Sequence, residues 1–468
     1  MSGRRTIGPV DTIWLNMDRP NNLMVIDSIT WLDGAADWER YKAVVKRRMV
    51  DRYPVFSQIP IPAHTPISLP HWEDDPAFDL ERHFVNVTLP APGDRATLQR
   101  YIEQQMHVPF DRSHPLWEVH LIDGFETGSA VLSRFHHSLA DGIALTQVLL
   151  SLTDETSTGD LEELEEPGAD EPAAHARRGG LLGAASSVTG FASSALRESW
   201  HLLGDLPHLA NPSHVVDAVS LAADTGLIAN KLLLGSNPPT PISGTPGIPK
   251  RAVWAEPRDL GPLKKVGRLS GATLNDVLVA AVSAAINHYL VDSGAEAVDL
   301  STMVPVNVRP LDKPLPRELG NQFALVLLPL PTGNHAPLER LAEAKRRMDS
   351  IKDSPEATLT FGLISAIGRT NPEIERRLVN FFSAKAIGVT TNVIGPKSTR
   401  YIAGTRIVGT LGWVPGSGDQ TVGVCIYSYD DRVHVGFKTD ATVVPYAEKL
   451  VHAFDHEMDE LVRIAHAA

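Results

Sequence analysis

The residues with the clearest chemical potential stand in one run, His136-His137-Ser138-Leu139-Ala140-Asp141-Gly142. The apolar stretch 130–135 before the run predicts a strand, and the stretch 143–152 after it predicts a helix. Because successive side chains of a strand point to opposite faces, one histidine should face the core and the other a cleft. An imidazole in a cleft can act as a general base near neutral pH. Taken alone, the pair could also be two structural histidines at a strand end.

The acid and the glycine of this run have possible structural roles. Asp141 falls where a helix N-cap would stand, so its carboxylate could accept hydrogen bonds from local backbone N–H groups. Gly142 would let the chain turn sharply or approach another backbone closely. A buried carboxylate also needs a cationic partner, and Arg309, at the end of the apolar run 305–308, is the hypothesised partner of Asp141.

A second candidate site is Thr273-Leu274-Asn275-Asp276, at the start of the apolar run 276–290. That run is apolar on nearly all sides, which predicts a buried helix. Thr273 and Asp276 have the spacing of a capping box, which is a structural role. Asn275 would fall in the first helical turn, where its amide and the free backbone N–H groups could meet an anion.

Missing motifs narrow the possible functions. The sequence contains no Gly-x-Ser-x-Gly and no Gly-x-Gly-x-x-Gly, and Pro396 interrupts a phosphate-loop-like segment at 395–398. Nucleotide hydrolysis and dinucleotide redox chemistry are therefore disfavoured. His452 and His456 have metal-ligand spacing, but they lie off the apolar stripe of their predicted helix. We predict that both face solvent and that the protein has no metal site.

Composition restricts the class and the compartment. A length of 468 residues predicts two domains, and a net charge of −13 disfavours nucleic-acid binding. The single cysteine, Cys425, stands in an apolar run and is predicted to be a buried strand residue, which fits a reducing compartment. No signal peptide and no apolar run long enough to span a bilayer is visible, so we expect a cytoplasmic protein.

The order of the signals divides the chain into three parts. Residues 1–153 are the predicted N-terminal domain with the histidine run, and residues 250–468 are the predicted C-terminal domain. The connection 154–249 begins with an acidic stretch that is typical of a solvated loop. Its apolar part, 181–235, could be helices packed between the domains or a face that touches lipid. We predict that this part associates with a lipid surface.

Several separated blocks resemble those of one family. The histidine run resembles the active-site signature of the CoA-dependent acyltransferases related to chloramphenicol acetyltransferase, a signature that peptide-synthetase condensation domains share. Further blocks resemble, in order and spacing over essentially the whole chain, those of the bacterial wax ester synthase/diacylglycerol acyltransferases. These blocks are Pro115-Leu116-Trp117, Asn275-Asp276-Val277, 305–309, Gly320-Asn321, 391–396 and 428–440. Departures from the family pattern, such as Asn307 and Ile394, lie outside the histidine run.

The resemblance implies a fold and a set of roles. The fold is α/β (α+β), with two chloramphenicol-acetyltransferase-like domains of mixed sheets and an active site in a tunnel at their interface. His137 would be the general base that takes the proton of an acceptor alcohol as its oxygen attacks an acyl-CoA thioester. His136 would support the run, Asp141 would orient the loop and the base, and Asn275 would stabilise the oxyanion.

The resemblance also implies the reaction partners. The protein would move a fatty acyl group from acyl-CoA to a long-chain alcohol or a diacylglycerol, giving wax ester or triacylglycerol plus CoA, without a metal or a cofactor. Because the net charge is acidic, CoA would need a local cluster of basic residues; Lys385, Lys397 and Arg400 are candidates, and a solvated surface is the alternative for each. The enzyme would be cytoplasmic, at the inner face of the membrane or on lipid droplets. Alternatives are an acyltransferase or condensation-type enzyme with another acceptor, and a non-catalytic lipid-binding protein on the same scaffold.

Overall fold

The computed structural model describes residues 4–467 apart from 64, 66, 67, 162–234, 310–313, 353 and 355. The predicted lipid-associated region 181–235 lies, except for its last residue, outside the described residues. We call residues 4–161 the N-terminal half and residues 235–467 the C-terminal half.

The secondary structure alternates between helices and strands in both halves. The elements of the N-terminal half are β1 (Arg5–Thr6), α1 (Pro9–Met17), β2 (Val25–Leu32), α2 (Trp38–Val45), β3 (Gln58–Ile61), β4 (His71–Asp74), β5 (Phe84–Thr88), α3 (Arg95–Gln105), β6 (Trp117–Phe125), β7 (Gly128–His136) and α4 (Gly142–Ser151). Those that follow in the C-terminal half are β8 (Lys250–Trp254), β9 (Arg258–Asp259), α5 (Leu260–Leu269), α6 (Leu274–Asp292), β10 (Leu300–Asn307), β11 (Phe323–Leu330), α7 (Pro337–Lys352), α8 (Glu356–Ile367), α9 (Pro372–Ser383), β12 (Thr390–Ile394), β13 (Tyr401–Ile402), β14 (Thr405–Trp413), β15 (Val422–Tyr429), β16 (Arg432–Asp440) and α10 (Glu448–Ala467).

Two mixed sheets form the frame of the molecule. The six-stranded sheet has the order β13-β14-β2-β7-β6-β5, with β5 parallel to β6 and the other neighbours antiparallel. The second sheet has the order β12-β15-β16-β8, with β9 also on β16, and β12 runs parallel to β15. The antiparallel strands β6 and β7 form a hairpin, and β7, the strand that the sequence predicts before the histidine run, ends at His136.

The C-terminal half contributes strands to the sheet of the N-terminal half, which the sequence-based division does not anticipate. Strands β13 and β14 belong to the C-terminal half of the chain, yet β14 pairs with β2 and completes the six-stranded sheet of the N-terminal half. The domain boundaries at 153 and 250 therefore do not divide the sheets cleanly.

A buried ionic cluster further joins the two halves. Asp27 of β2 accepts a hydrogen bond from Arg134 Nε of β7 at 3.2 Å, and Lys438 Nζ of β16 lies 3.5 Å from its other oxygen. Asp27 and Arg134 are almost completely buried. Because a buried charge without its partner is costly, this cluster fixes β7, the strand that ends at the histidines, against the C-terminal half.

Helix α6 forms the centre of the C-terminal half. It packs against α7 and α10, and its N-terminus carries the predicted capping box of Thr273 and Asp276. Although the sequence indicated no spanning segment, α6 is long and apolar enough to cross a bilayer, and it is the one such helix in the described part of the chain. Since 83% of its apolar window is buried inside the protein, we assign it to the core.

Candidate active site

The two adjacent histidines have different environments. His136, the last residue of β7, is buried, with Nδ1 2.7 Å from Ser138 Oγ and Nε2 3.2 Å from Asp18 Oδ2. His137 follows the strand, where its backbone N–H donates to Met24 O at 2.7 Å, and its side chain lines a cavity. The predicted division is therefore present, with His136 in the protein framework and His137 at the cavity.

Burial keeps the His137 imidazole in its neutral form. Desolvation, with a smaller contribution from nearby His136, lowers its pKa from the ordinary value of 6.5 to about 4, and its own carbonyl oxygen and Asn321 oppose the shift. The ring stacks on Trp14 at a centroid distance of 4.1 Å and lies 5.9 Å from Phe323. Nδ1 is buried, and no other described residue offers it a hydrogen-bond partner. At neutral pH this imidazole can accept a proton.

Asp141 holds the loop after His137 through three contacts. Its Oδ1 accepts a hydrogen bond from Ala144 N at 2.8 Å, so the residue is the N-cap of α4 as predicted. Its Oδ2 accepts a hydrogen bond from Gln322 N at 2.9 Å and lies 3.0 Å from Arg309 Nη2. The hypothesised pair of Asp141 and Arg309 is therefore present, and it connects the loop to the C-terminal half.

The structure does not support the expected turn role of Gly142. The residue is the first of α4, its φ is not in the left-handed region, and a Cβ there would meet nothing within 4 Å. Neither a sharp turn nor a close backbone approach requires glycine at this position. Because Gly142 lines the cavity, its missing side chain leaves space there instead.

Asn321 joins helix α1 to the histidine loop. Its backbone N and its side-chain Nδ2 both donate to Asp11 Oδ1 at 2.7 Å. The same Nδ2 donates to His137 O, also at 2.7 Å. Burial raises the pKa of the Asp11 carboxyl to about 6, so this group is mostly ionised at neutral pH.

The cavity beside His137 lies between the two halves. It contains about 1580 Å³ of empty space, including its open mouth. The N-terminal half contributes Trp14, Ile26, Ser28, His137, Leu145 and Leu149, and the C-terminal half contributes Pro305, Asn307, Phe323, Leu325, Asn392 and Tyr427. A second, apolar cavity of about 810 Å³ lies between α1, α8, α9 and β11 and shares Trp14 and Phe323 with the first.

The asparagine at the start of α6 lies behind the cavity wall. Asn275 is buried and is not among the residues that line the cavity, whereas Asn392 is. Asn392 Nδ2 donates to Asn275 Oδ1 at 2.8 Å. The amide that faces the cavity therefore belongs to Asn392, and Asn275 orients it.

Comparison with known proteins identifies the family. Residues 7–278 match the wax ester synthase/diacylglycerol acyltransferase catalytic domain, and residues 319–462 match the WS/DGAT C-terminal domain. The chain belongs to the WS/DGAT family. It is therefore an acyltransferase.

Two mycobacterial relatives agree with this assignment. A probable diacylglycerol O-acyltransferase of Mycobacterium tuberculosis is 28% identical over 420 residues, which cover 85% of this chain and 82% of that protein. A putative diacylglycerol O-acyltransferase of the same species is 27% identical over 493 residues, which cover 99% of this chain and 98% of that protein.

Solved structures confirm the predicted fold. The wax ester synthase/diacylglycerol acyltransferase of Marinobacter aquaeolei VT8 has a TM-score of 0.67 at 20% identity, covering 98% of this chain and 99% of its own. The first condensation domain of the calcium-dependent antibiotic synthetase has a TM-score of 0.59 at 15% identity, covering 99% and 96%. These likenesses show the same fold, with mixed sheets in two joined halves.

The three basic residues that are candidate CoA contacts lie in different surroundings. Lys385 is buried in the wall of the second cavity, where its Nζ donates to Gly235 O at 2.8 Å. Lys397 is exposed, and Arg400 lines the main cavity with its guanidinium 3.1 Å from Glu155 Oε1. Their contact with CoA stays a prediction, and Arg400 is the one of the three at the cavity that holds His137.

Sequence reasoning gave no role to three residues that touch or support His137, namely Asp11, Trp14 and Asn321, or to Asn392, which lines the same cavity. Asp11 and Trp14 are three residues apart in a short apolar helix, and that spacing on one helix face was the available signal. Asn392 lies in the family block 391–396, but the sequence assigns it no function.

The described residues contain no group of three His, Cys, Asp or Glu side chains that could hold a metal ion. His452 and His456 are exposed on α10, as their position off the apolar stripe predicts. Cys425 is buried in β15, also as predicted.

Proposed function

We propose that this WS/DGAT protein transfers a fatty acyl group from acyl-CoA to a long-chain alcohol or a diacylglycerol. The products would be a wax ester or a triacylglycerol, together with CoA. The observation that carries the proposal is the neutral His137 imidazole in a largely apolar cavity between the two halves. The names of the mycobacterial relatives support diacylglycerol as an acceptor.

His137 would act as the general base. The acceptor hydroxyl gives its proton to His137 while its oxygen forms a bond to the thioester carbonyl carbon. The tetrahedral intermediate then breaks its C–S bond, and the imidazolium returns the proton to the departing thiolate, which yields CoA as a thiol. Because Nδ1 is buried, Nε2 is the nitrogen assigned to this proton transfer. A thioester is already activated, so we propose that the reaction needs no metal, no cofactor and no covalent acyl-enzyme.

The oxyanion would form near Asn392 and Asn275. An amide nitrogen carries two hydrogens, and Asn392 Nδ2 gives one of them to Asn275. The other is available to a negative charge that develops in the cavity, and such fixed donors are a major source of rate acceleration. We propose that Asn392 makes this contact and that Asn275 holds it in place.

We further propose that the enzyme works in the cytoplasm at a lipid surface, where acyl chains of both substrates are available. The free, buried Cys425 fits a reducing compartment. Flotation of the full chain with liposomes tests the surface association, which loses its support if the protein stays with the soluble fraction.

A substrate panel tests the reaction itself. Purified protein is given palmitoyl-CoA with hexadecanol, a monoacylglycerol or a diacylglycerol, and the release of free CoA thiol is measured beside the ester product. We expect turnover with hexadecanol or diacylglycerol, and His137→Ala should reduce kcat by about 10²–10⁴-fold. Ester formation by the His137→Ala variant at the wild-type rate would refute the base, and an absence of turnover with every acceptor would refute the reaction.

A further inference from the structure

Helix α1 contacts the His137 ring directly and reaches the His137 main chain through Asn321. The Trp14 ring stacks on the imidazole with an interplanar angle of 19°. Asp11, three residues earlier, reaches the His137 main chain through Asn321. Since residues three apart lie on one face of a helix, a single short helix delivers both contacts.

The Asn321 amide has one orientation that satisfies its neighbours. Its nitrogen lies 2.7 Å from Asp11 Oδ1 and 2.7 Å from His137 O. An ionised carboxylate and a carbonyl oxygen can only accept hydrogen bonds, so the NH₂ group and not the amide oxygen must face them. Asp11 therefore sets the direction in which the Asn321 amide donates.

Two glycines pack closely against the Asp11 carboxylate where it contacts Asn321. A Cβ at Gly8 would lie 3.0 Å from Asp11 Oδ2, and a Cβ at Gly320 would lie 3.1 Å from the same oxygen. Glycine at both positions lets the carboxylate lie against the Asn321 backbone. Because Asp11 is buried and a buried carboxylate is costly without hydrogen bonds, its two bonds from Asn321 hold this geometry firmly.

The His137 carbonyl lies at the end of this chain of contacts. The oxygen that accepts from Asn321 and the ring that stacks on Trp14 belong to one residue and are joined through its Cα. The orientation of the carbonyl and the orientation of the ring are therefore connected.

We infer that Asp11 is a positioning residue that, through Asn321, fixes the main chain of His137 and thereby aims its imidazole. The inference rests on the proposed function, in which His137 is the base. Asp11 itself touches no substrate, so its loss should lower kcat and leave substrate binding intact.

Three single variants test the role of Asp11. We expect Asp11→Ala to reduce kcat by about 100-fold, as a misplaced catalytic group does, with KM for acyl-CoA within about threefold of wild type. Asp11→Asn should recover most of the activity, because its amide oxygen can accept both bonds from Asn321. Thr12→Val is the matched control, since buried Thr12 Oγ1 donates only to Gly8 O in the same helix, and it should keep kcat.

Asn321→Ala provides a second route if Asp11→Ala does not fold. Its backbone N–H still reaches Asp11, and we expect the same loss of kcat with a thermal unfolding midpoint close to wild type. Adding Asp11→Ala to Asn321→Ala should cost little more, because both variants break one chain of contacts. If the loss of kcat in the double variant equals the product of the two single losses, the residues act independently and the inference is wrong.

Other outcomes would also overturn it. These are an Asp11→Ala or Asn321→Ala variant with wild-type kcat, an Asp11→Asn variant as slow as Asp11→Ala, and a Thr12→Val variant that loses as much kcat. His137→Ala, assayed in parallel, separates this inference from the proposed function. If His137→Ala stays active, the proposed base is wrong; if it is inactive while Asp11→Ala is not, only the positioning role is wrong.

Discussion

The two walls of the main cavity differ in what they contribute. The N-terminal wall carries the proposed base, His137, at the end of a buried strand. The C-terminal wall carries the amide of Asn392, and two further residues of the C-terminal half, Arg309 and Asn321, bind the histidine loop. The proposed base thus comes from one half, whereas its supports come from both halves, so the site is complete only when the halves are docked.

Breaking the contact of Asp141 with Arg309 should have the largest effect. Asp141→Ala leaves the buried Arg309 guanidinium without its carboxylate and removes the cap of α4, so we expect the free energy of unfolding to fall by about 3–5 kcal/mol. Urea unfolding measures the change. Replacing both charges, with Asp141→Leu and Arg309→Met together, should recover part of the loss, and a single variant as stable as wild type would show that the pair does not hold the walls together.

Removing the amide on the C-terminal wall should have the next largest effect. We expect Asn392→Ala to lower kcat by about 10²–10³-fold, the usual cost of one oxyanion donor. Asn275→Ala should act in the same direction with a smaller loss, because Asn275 orients Asn392 from behind. Steady-state turnover of acyl-CoA measures both losses. A wild-type kcat in Asn392→Ala would refute the proposal that Asn392 on the C-terminal wall stabilises the oxyanion.

The buried imidazole of the N-terminal wall should make stability depend on pH. Since the folded-state pKa of His137 is about 4, the unfolded chain binds a proton below about pH 6.5 that the folded chain does not bind. Its contribution is therefore complete above pH 6.5 and is lost as the pH falls towards 4. Relative to His137→Gln, wild type should lose about 2 kcal/mol of unfolding free energy between pH 7 and pH 5, and a constant difference would contradict the shifted pKa.

Gly142 should give the smallest effect. Because a methyl group there meets open space and φ is ordinary, Gly142→Ala should leave the free energy of unfolding unchanged or raise it by about 0.5–1 kcal/mol. Thermal unfolding measures the change. If Gly142→Ala lowers the free energy of unfolding by more than about 1 kcal/mol, the position is strained and glycine is needed there for the turn.

Local features of the fold could be predicted from the sequence, whereas distant pairings could not. The strand before the histidine run, the buried helix α6, the cap at Asp141 and the capping box at Thr273 follow from periodicity and from polar residues at helix starts. The contacts of Asn321 with His137 and Asp11 join residues 184 and 310 positions apart, and no short-range pattern marks such pairs.

Resemblance to a family located the blocks but not their geometry. It placed Asn275 in the site, while the structure puts Asn392 at the cavity and Asn275 behind it. The role of Asp11 could not be predicted either. The sequence does not distinguish a buried aspartate from an exposed one, and the glycines and the amide that surround Asp11 are known only from the structure.

The pairing of β14 with β2 also has a consequence for the order of events during synthesis. Strand β2 emerges from the ribosome early, but its partner β14 follows some 380 residues later. The edge of β2 that β14 covers stays unpaired while the intervening chain is made, and pairing over such a separation is slow. An unpaired edge is a template for association with other chains, so a nascent chain stopped before residue 405 should aggregate where the finished protein does not.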